Sequence, residues 1–244
     1  MQKKFVYHRA LNSKEAFNAF LEKEKNSDAI LAAEGDVCWA YIEGAFVIYI
    51  HHPELHGKSL SNEKVQELLE SGELFTLEKL FEINSNIHFI LELKDGNGDL
   101  ELFFKAFGEI LKRHDVSNLL VDAFSLHQLQ VLKKVLPHIK TSLHTKLVIG
   151  KYVLESTYQK PYLSFHNLDN LDCIDTITLS YSTTYTNLFN LVIDENYKEV
   201  YDSGKNLNLG SIKSMENFEK ALHSQCEYIY LRSKDVLENF RTLL

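Results

Sequence analysis

The chain has 244 residues, 45% hydrophobic and 25% charged, long enough for one sizeable core and ordinary for a soluble globular protein. A formal net charge of −8 argues against a general nucleic-acid binder, which needs a basic face to displace counterions, but leaves room for a locally positive pocket. Three widely spaced cysteines, Cys38, Cys173 and Cys226, form neither a disulfide framework nor a zinc pattern, and are read as reduced thiols.

In chain order, Met1-Gln2-Lys3-Lys4 runs directly into a first strand at Phe5–His8, with no apolar segment of the kind that signals secretion. A helix follows at Ser13–Lys25, placing Ala16, Phe17, Phe20 and Leu21 on one face. The second strand spans Ile30–Val37. An extra strand, Ala45–Ile50, follows too closely for a helical crossover and is expected to return as a hairpin through Glu43-Gly44. That return would bring His51 back beside Glu34 and Asp36. Two short helices, Asn62–Ser71 and Thr76–Phe81, come next, with Ser61 and Thr76 as caps.

Strand-like runs then recur at His88–Lys94, Leu119–Phe124, Ile139–His144, Thr176–Ser182, Leu207–Ile212 and Tyr228–Leu231. Amphipathic stretches at Leu100–Arg113, Leu126–Leu136, Tyr185–Tyr201 and Met215–His223 separate most of them, and only Leu147–Leu171 has no clear pattern. Alternating strands and helices indicate a parallel α/β sheet. Eight strands in that plan favour a closed (β/α)8 TIM barrel with a short hairpin after strand 2, in a single domain covering residues 1–244. No run approaches the roughly twenty apolar residues of a membrane span, so stable membrane insertion is not expected and the simplest location is cytoplasmic.

The chemistry concentrates on the second and fourth strand-like runs. In an extended strand Glu34 and Asp36 share one face, the face of Ile30 and Ala32. Two carboxylates on an apolar strand are costly unless a cation neutralises them, either a metal or a Lys/Arg partner. Glu92 and Lys94 repeat the arrangement, sharing a face with His88 and Ile90, just before the turn Asp95-Gly96-Asn97-Gly98. A third carboxylate completes an oxygen-rich site suited to magnesium or calcium. Lys94 could neutralise a phosphate oxygen or pair with Glu92. His8 closes the first strand, and His51 or His52 follows the hairpin; alternation points these neighbours oppositely. A histidine pair near neutral pKa can divide acid and base roles. Arg9 suits either a phosphate or an ion pair. His56, His127, His138, His144 and His166 show no compelling spacing, and His127 and His138 are expected at the surface. There is no Gly-rich phosphate loop, nucleophile elbow or Cys/His cluster. Trp39, Tyr41, Phe46 and Tyr49 are read as packing for the hairpin.

Taken in order, His8-Arg9, Asn12-Ser13, Glu34-Gly35-Asp36-Val37, Glu43-Gly44, His51-His52-Pro53 and Glu92-Leu93-Lys94 resemble the motifs of the glycerophosphodiester phosphodiesterase family. The resemblance covers roughly the first hundred residues and fades to fragments such as Val121-Asp122-Ala123-Phe124 beyond them. It implies a TIM barrel that hydrolyses a small phosphodiester with a divalent metal ion, Mg2+ or Ca2+. Glu34, Asp36 and Glu92 would then be metal ligands, His8 and His51 catalytic, and Arg9 and Lys94 phosphate contacts. The chain departs from the family at Ala10, where a glycine is usual, and at Leu11, where a glutamate is usual. His52 replaces an aspartate. Leu207-Asn208-Leu209-Gly210-Ser211 and Leu231-Arg232-Ser233-Lys234 replace the family's closing motifs. The short segment after His51 leaves no room for an inserted cap domain, so an open mouth is expected. These losses keep a second reading open: a catalytically degenerate barrel that binds a phosphorylated ligand or a protein partner. Neither reading specifies an oligomeric state.

Overall fold

The computed structural model describes residues 2–52, 60–83, 87–146, 172–180, 200, 202–212 and 214–231. Eight parallel strands close on themselves: β1 (Lys4–Tyr7), β2 (Ile30–Ile42), β4 (His88–Gly96), β5 (Leu119–Ala123), β6 (Lys140–Lys146), β7 (Thr176–Ser180), β8 (Asn206–Ile212) and β9 (Tyr228–Leu231). The closing pairs are β1 with β9 and β1 with β2, so the barrel has no open edge. The remaining strand, β3 (Ala45–Ile50), runs antiparallel to the outer half of β2, from Val37↔Ile50 to Ile42↔Ala45. This is a (β/α)8 TIM barrel with a hairpin after its second barrel strand.

The described helices are α1 (Lys14–Lys25), α2 (Asn62–Glu70), α3 (Leu77–Ile83), α4 (Leu100–Leu111), α5 (Leu126–Val135) and α6 (Met215–His223). Each starts where the sequence supplies an oxygen for the orphaned amides of the first turn. Ser13 accepts from Ala16 N, Ser61 from Lys64 N, Thr76 from Lys79 N, Asp99 from Leu102 N, Ser125 from Gln128 N and Ser214 from Asn217 N. The expected helix at Tyr185–Tyr201 and the unpatterned stretch Leu147–Leu171 lie outside the described residues. No helix among the described residues is long and apolar enough to cross a membrane.

Strand alternation sorts side chains into two cores. Phe5, Tyr7, Leu31, Ala33, Phe89 and Leu91 face outward and pack with helix residues such as Phe17, Phe20, Phe104 and Phe107. The residues between them, Val6, Ala32, Ile90 and Leu120, face inward and close the barrel interior with Tyr228 and Tyr230. Above that apolar floor the inward positions turn polar: Glu34, Asp36, Glu92, Asp122, Ser142, Thr178 and Asn208 are all buried. The hairpin aromatics pack as the sequence suggests, with Trp39 stacked on Phe103 at 4.1 Å and Tyr41 against Phe46 at 4.8 Å. Both turn residues, Glu43 (φ +50°) and Gly44 (φ +87°), adopt the left-handed conformation that two-residue hairpins demand.

One boundary differs from the sequence reading. The second strand does not stop at Val37 but continues to Ile42: β1 pairs it as far as Ala33 and β3 from Val37 onward, while β4 follows it to Trp39 with a register shift after Val37. Glu34 and Asp36 are therefore mid-strand residues. They stand where the barrel portion of β2 ends and its hairpin extension begins.

Candidate active site

Register, more than proximity in sequence, assembles the site. Asp36, Glu92, Asp122 and Ser142 are successive partners across β2, β4, β5 and β6, so their side chains line one level of the interior. Oxygens of Glu34, Asp36 and Glu92 lie within 4.8 Å of one another, with the three residues 1%, 2% and 5% exposed. Three carboxylates so close and so dry need positive charge. Lys94 supplies some: its Nζ is 2.7 Å from Asp36 Oδ1 and also pairs with Glu92. Burial, with the charges of Asp36 and Glu92 added, holds Glu34 well above the usual carboxylate range despite the Arg9 amide and Lys94. Burial also raises Glu92, against the opposing pull of Lys94 and His144. Lys94 goes up although burial opposes it, because both carboxylates favour its ammonium form.

The loop after β1 buttresses the cluster. Arg9, at φ +62°, directs its amide to Glu34 Oε2 at 2.5 Å, and Leu11 N donates to the Glu34 carbonyl at 3.0 Å. Asn12 clamps Asp36 reciprocally. Its Nδ2 donates to Asp36 Oδ2 at 2.5 Å, and its Oδ1 accepts the Asp36 amide at 3.0 Å. Leu11, fully buried, packs in the outer core beneath this loop. An alanine at Gly35 would set its Cβ 2.5 Å from Leu11 Cβ. The position that carries a glutamate in the resembled family is thus a packing position here, matched to a glycine on β2.

The candidate histidines follow β1 and β3. His8 is half-buried directly after β1, next to Arg9. The hairpin returns the chain so that His51 N donates to the Asp36 carbonyl at 2.9 Å, bringing the His51 backbone beside Asp36; His51 and His52 are both half-buried. The Arg9 side chain is exposed. His127 and His138 are at the surface, and His56 and His166 lie outside the described residues.

Sequence reasoning missed one histidine. His144 Nδ1 lies 3.2 Å from Asp122 Oδ2, which also accepts from the Tyr230 hydroxyl at 3.3 Å. The available signal was alternation: Ser142 and His144 share the inward face of β6, as Leu120 and Asp122 do on β5.

The cluster suits a hard divalent cation. Its donors are all carboxylate oxygens, Lys94 pairs with Asp36 and Glu92, and Glu34 Oε1 is buried with no hydrogen-bond partner. A buried carboxyl oxygen left without a partner beside two other carboxylates is what a bound ion would satisfy.

No protein-family model and no curated protein matches the sequence. Solved structures do. A glycerophosphodiester phosphodiesterase from Parabacteroides distasonis matches at 18% identity and TM-score 0.66, covering 99% of this chain and 96% of that one. One from Agrobacterium tumefaciens matches at 14% and 0.63, covering 99% and 100%. An Oleispira antarctica phosphodiesterase, in complex with its product sn-glycerol-3-phosphate, matches at 17% and 0.64, covering 93% and 92%. D-glucarate dehydratase from Agrobacterium tumefaciens, complexed with magnesium, also matches at 10% and 0.52. At these identities the likeness is one of fold: the chain shares the barrel that glycerophosphodiester phosphodiesterases use.

Proposed function

We propose that this protein hydrolyses a small phosphodiester of the glycerophosphodiester class, releasing an alcohol and a phosphomonoester such as glycerol 3-phosphate, with the aid of a divalent metal ion. The observation that carries the reading is the buried Glu34–Asp36–Glu92 cluster with its orphaned Glu34 oxygen. It sits at the carboxyl-end mouth of the barrel, where that fold places its chemistry. The fold shared with the Parabacteroides and Oleispira enzymes and the ordered motifs from His8 to Lys94 point the same way.

Glu34, Asp36 and Glu92 would hold Mg2+ or Ca2+. When bound, such an ion polarises a phosphoryl oxygen and stabilises the charge that develops on it. The chain's own residues do the rest. Asn12 and the Arg9 amide fix the carboxylates, so the ligand set is organised before the ion arrives. Lys94, and the Arg9 guanidinium from its exposed position, supply positive charge for the phosphate. His51 and His8 transfer protons, one removing a proton from the attacking hydroxyl or water and the other protonating the leaving alcohol. The test is release of glycerol 3-phosphate or free alcohol from a panel of glycerophosphodiesters with and without a chelator. Metal-independent turnover, or none across the panel, contradicts the proposal.

One observation favours a second reading, a barrel that binds without catalysis: Lys94 occupies both Asp36 and Glu92. A crystal soaked in magnesium or calcium separates the two. An ion on Glu34, Asp36 and Glu92 supports the enzyme; an unchanged Lys94 bridge at saturating metal supports the binder.

A further inference from the structure

Across the interior from Glu34, β5 and β6 carry a second polar arrangement for which the chemistry above has no use. Asp122, 1% exposed, is the register partner of Glu92 and is gripped through one oxygen only. Oδ2 takes both His144 and Tyr230, while Oδ1 is buried with no hydrogen-bond partner. A carboxylate that accepts from Nδ1 places a hydrogen there and fixes the ring, which leaves Nε2 as the ring atom able to meet a ligand. Among the described residues nothing hydrogen-bonds Nε2, and the His144 side chain keeps 12% of its surface open. Its ring lies 4.3 Å from that of Phe124, and Lys94 Nζ lies 5.4 Å from the same Phe124 ring. Lys94, Phe124 and His144 thus form a continuous row, leading from the carboxylate cluster along the mouth to an oriented ring nitrogen with no partner among the described residues.

Resting on the phosphodiester reading of the site, we propose that His144 determines specificity: its Nε2 accepts a hydrogen bond from a free hydroxyl on the alcohol moiety esterified to the phosphate. With the phosphate at Lys94, the alcohol carbons lie along Phe124 and a hydroxyl meets His144. Asp122 is a positioning residue that fixes the ring and its tautomer, and Tyr230 anchors Asp122. The selected class is phosphate esters of polyols, as against esters of simple alcohols or aryl groups.

The test is binding, read by titration calorimetry in saturating magnesium, with sn-glycerol 3-phosphate and methyl phosphate as probes. They share the phosphate and differ in the hydroxyls. Wild-type protein is expected to prefer glycerol 3-phosphate about tenfold, the size of one good neutral hydrogen bond. His144→Ala should lose that preference with methyl phosphate affinity unchanged, which also certifies that the variant is folded. His144→Gln, which keeps an acceptor, should retain part of it, and Asp122→Asn should fall between. Equal affinities in the wild type, or a preference that survives His144→Ala, overturns the inference. The two proposals fail separately. A His144-dependent preference without hydrolysis sinks only the hydrolase, hydrolysis with a preference that ignores His144 sinks only this inference, and no binding of either probe sinks both.

Discussion

Lys94 Nζ stands 2.7 Å from Asp36 Oδ1 while also pairing with Glu92, so one ammonium is shared by carboxylates on two neighbouring strands. Removing one partner of a buried ion pair typically costs about 3–5 kcal/mol, because the charge left behind is uncompensated. Lys94→Met is therefore expected to lower the melting temperature sharply in metal-free buffer. Calcium or magnesium should restore more stability to this variant than it adds to the wild type. Equal gains in the two proteins would show that Lys94 and a cation do not share the cluster.

Stability of the metal-free protein should depend on pH through Glu34. Its folded pKa is raised by burial and by Asp36 and Glu92, so the native state holds a proton that the unfolded chain releases near 4.5. The stabilising contribution is complete below that value and is lost as pH rises through the folded pKa, at up to about 1.4 kcal/mol per pH unit. Glu34→Gln removes this dependence. In chelator, denaturant unfolding should find the variant increasingly more stable than wild type as pH rises from 4.5. A difference that does not grow with pH contradicts the burial and crowding described for Glu34.

Leu11 and Gly35 should behave as a packing pair. Leu11→Ala opens a cavity in the outer core and is expected to cost about 2–5 kcal/mol. Gly35→Ala drives a methyl into Leu11 and should also destabilise. The double variant is expected to be more stable than the sum of the two losses, since the missing leucine makes room for the added methyl. Strict additivity in thermal or denaturant unfolding would rule the pairing out. Leu11→Glu should gain no metal affinity, because the position faces the outer core.

That pair shows where sequence reading ran out. At Leu11 the family pattern suggests a missing ligand, and only the fold reveals that the residue answers Gly35. Alternation alone was enough to place Glu34 with Asp36, and Glu92 with Lys94, because strand parity is a local rule. Ser61 and Thr76 were readable as caps for the same reason: the amides they satisfy lie three residues away. His144 was not. Its partners, Asp122 and Tyr230, are 22 and 86 positions away, and they meet only through barrel closure and the register of β5 with β6. The extension of β2 to Ile42 was hidden as well, since a strand that changes partners partway looks like a strand that stops.

The two neighbouring histidines should differ in weight. A proton-transfer group contributes roughly 10²–10⁴-fold to rate, so His51→Ala should lose most turnover while metal affinity, read by calorimetry, stays nearly intact. His52→Ala should lose far less. Asp36→Ala should instead weaken metal binding, with activity partly recovered in excess metal. A dead His52→Ala beside an active His51→Ala would reverse the assignment of the two rings.

The central claim, metal-dependent diester hydrolysis at the mouth of this barrel, meets its most direct test in one assay. Glycerol 3-phosphate release from a glycerophosphodiester is followed for wild type, for wild type in chelator, and for Glu92→Gln, each before and after addition of calcium or magnesium. The account predicts turnover in the wild type, its loss in chelator, its return with added metal, and little activity in Glu92→Gln at any metal concentration that saturates the wild type. Turnover that persists in chelator, or a Glu92→Gln protein as active as the wild type, would contradict it.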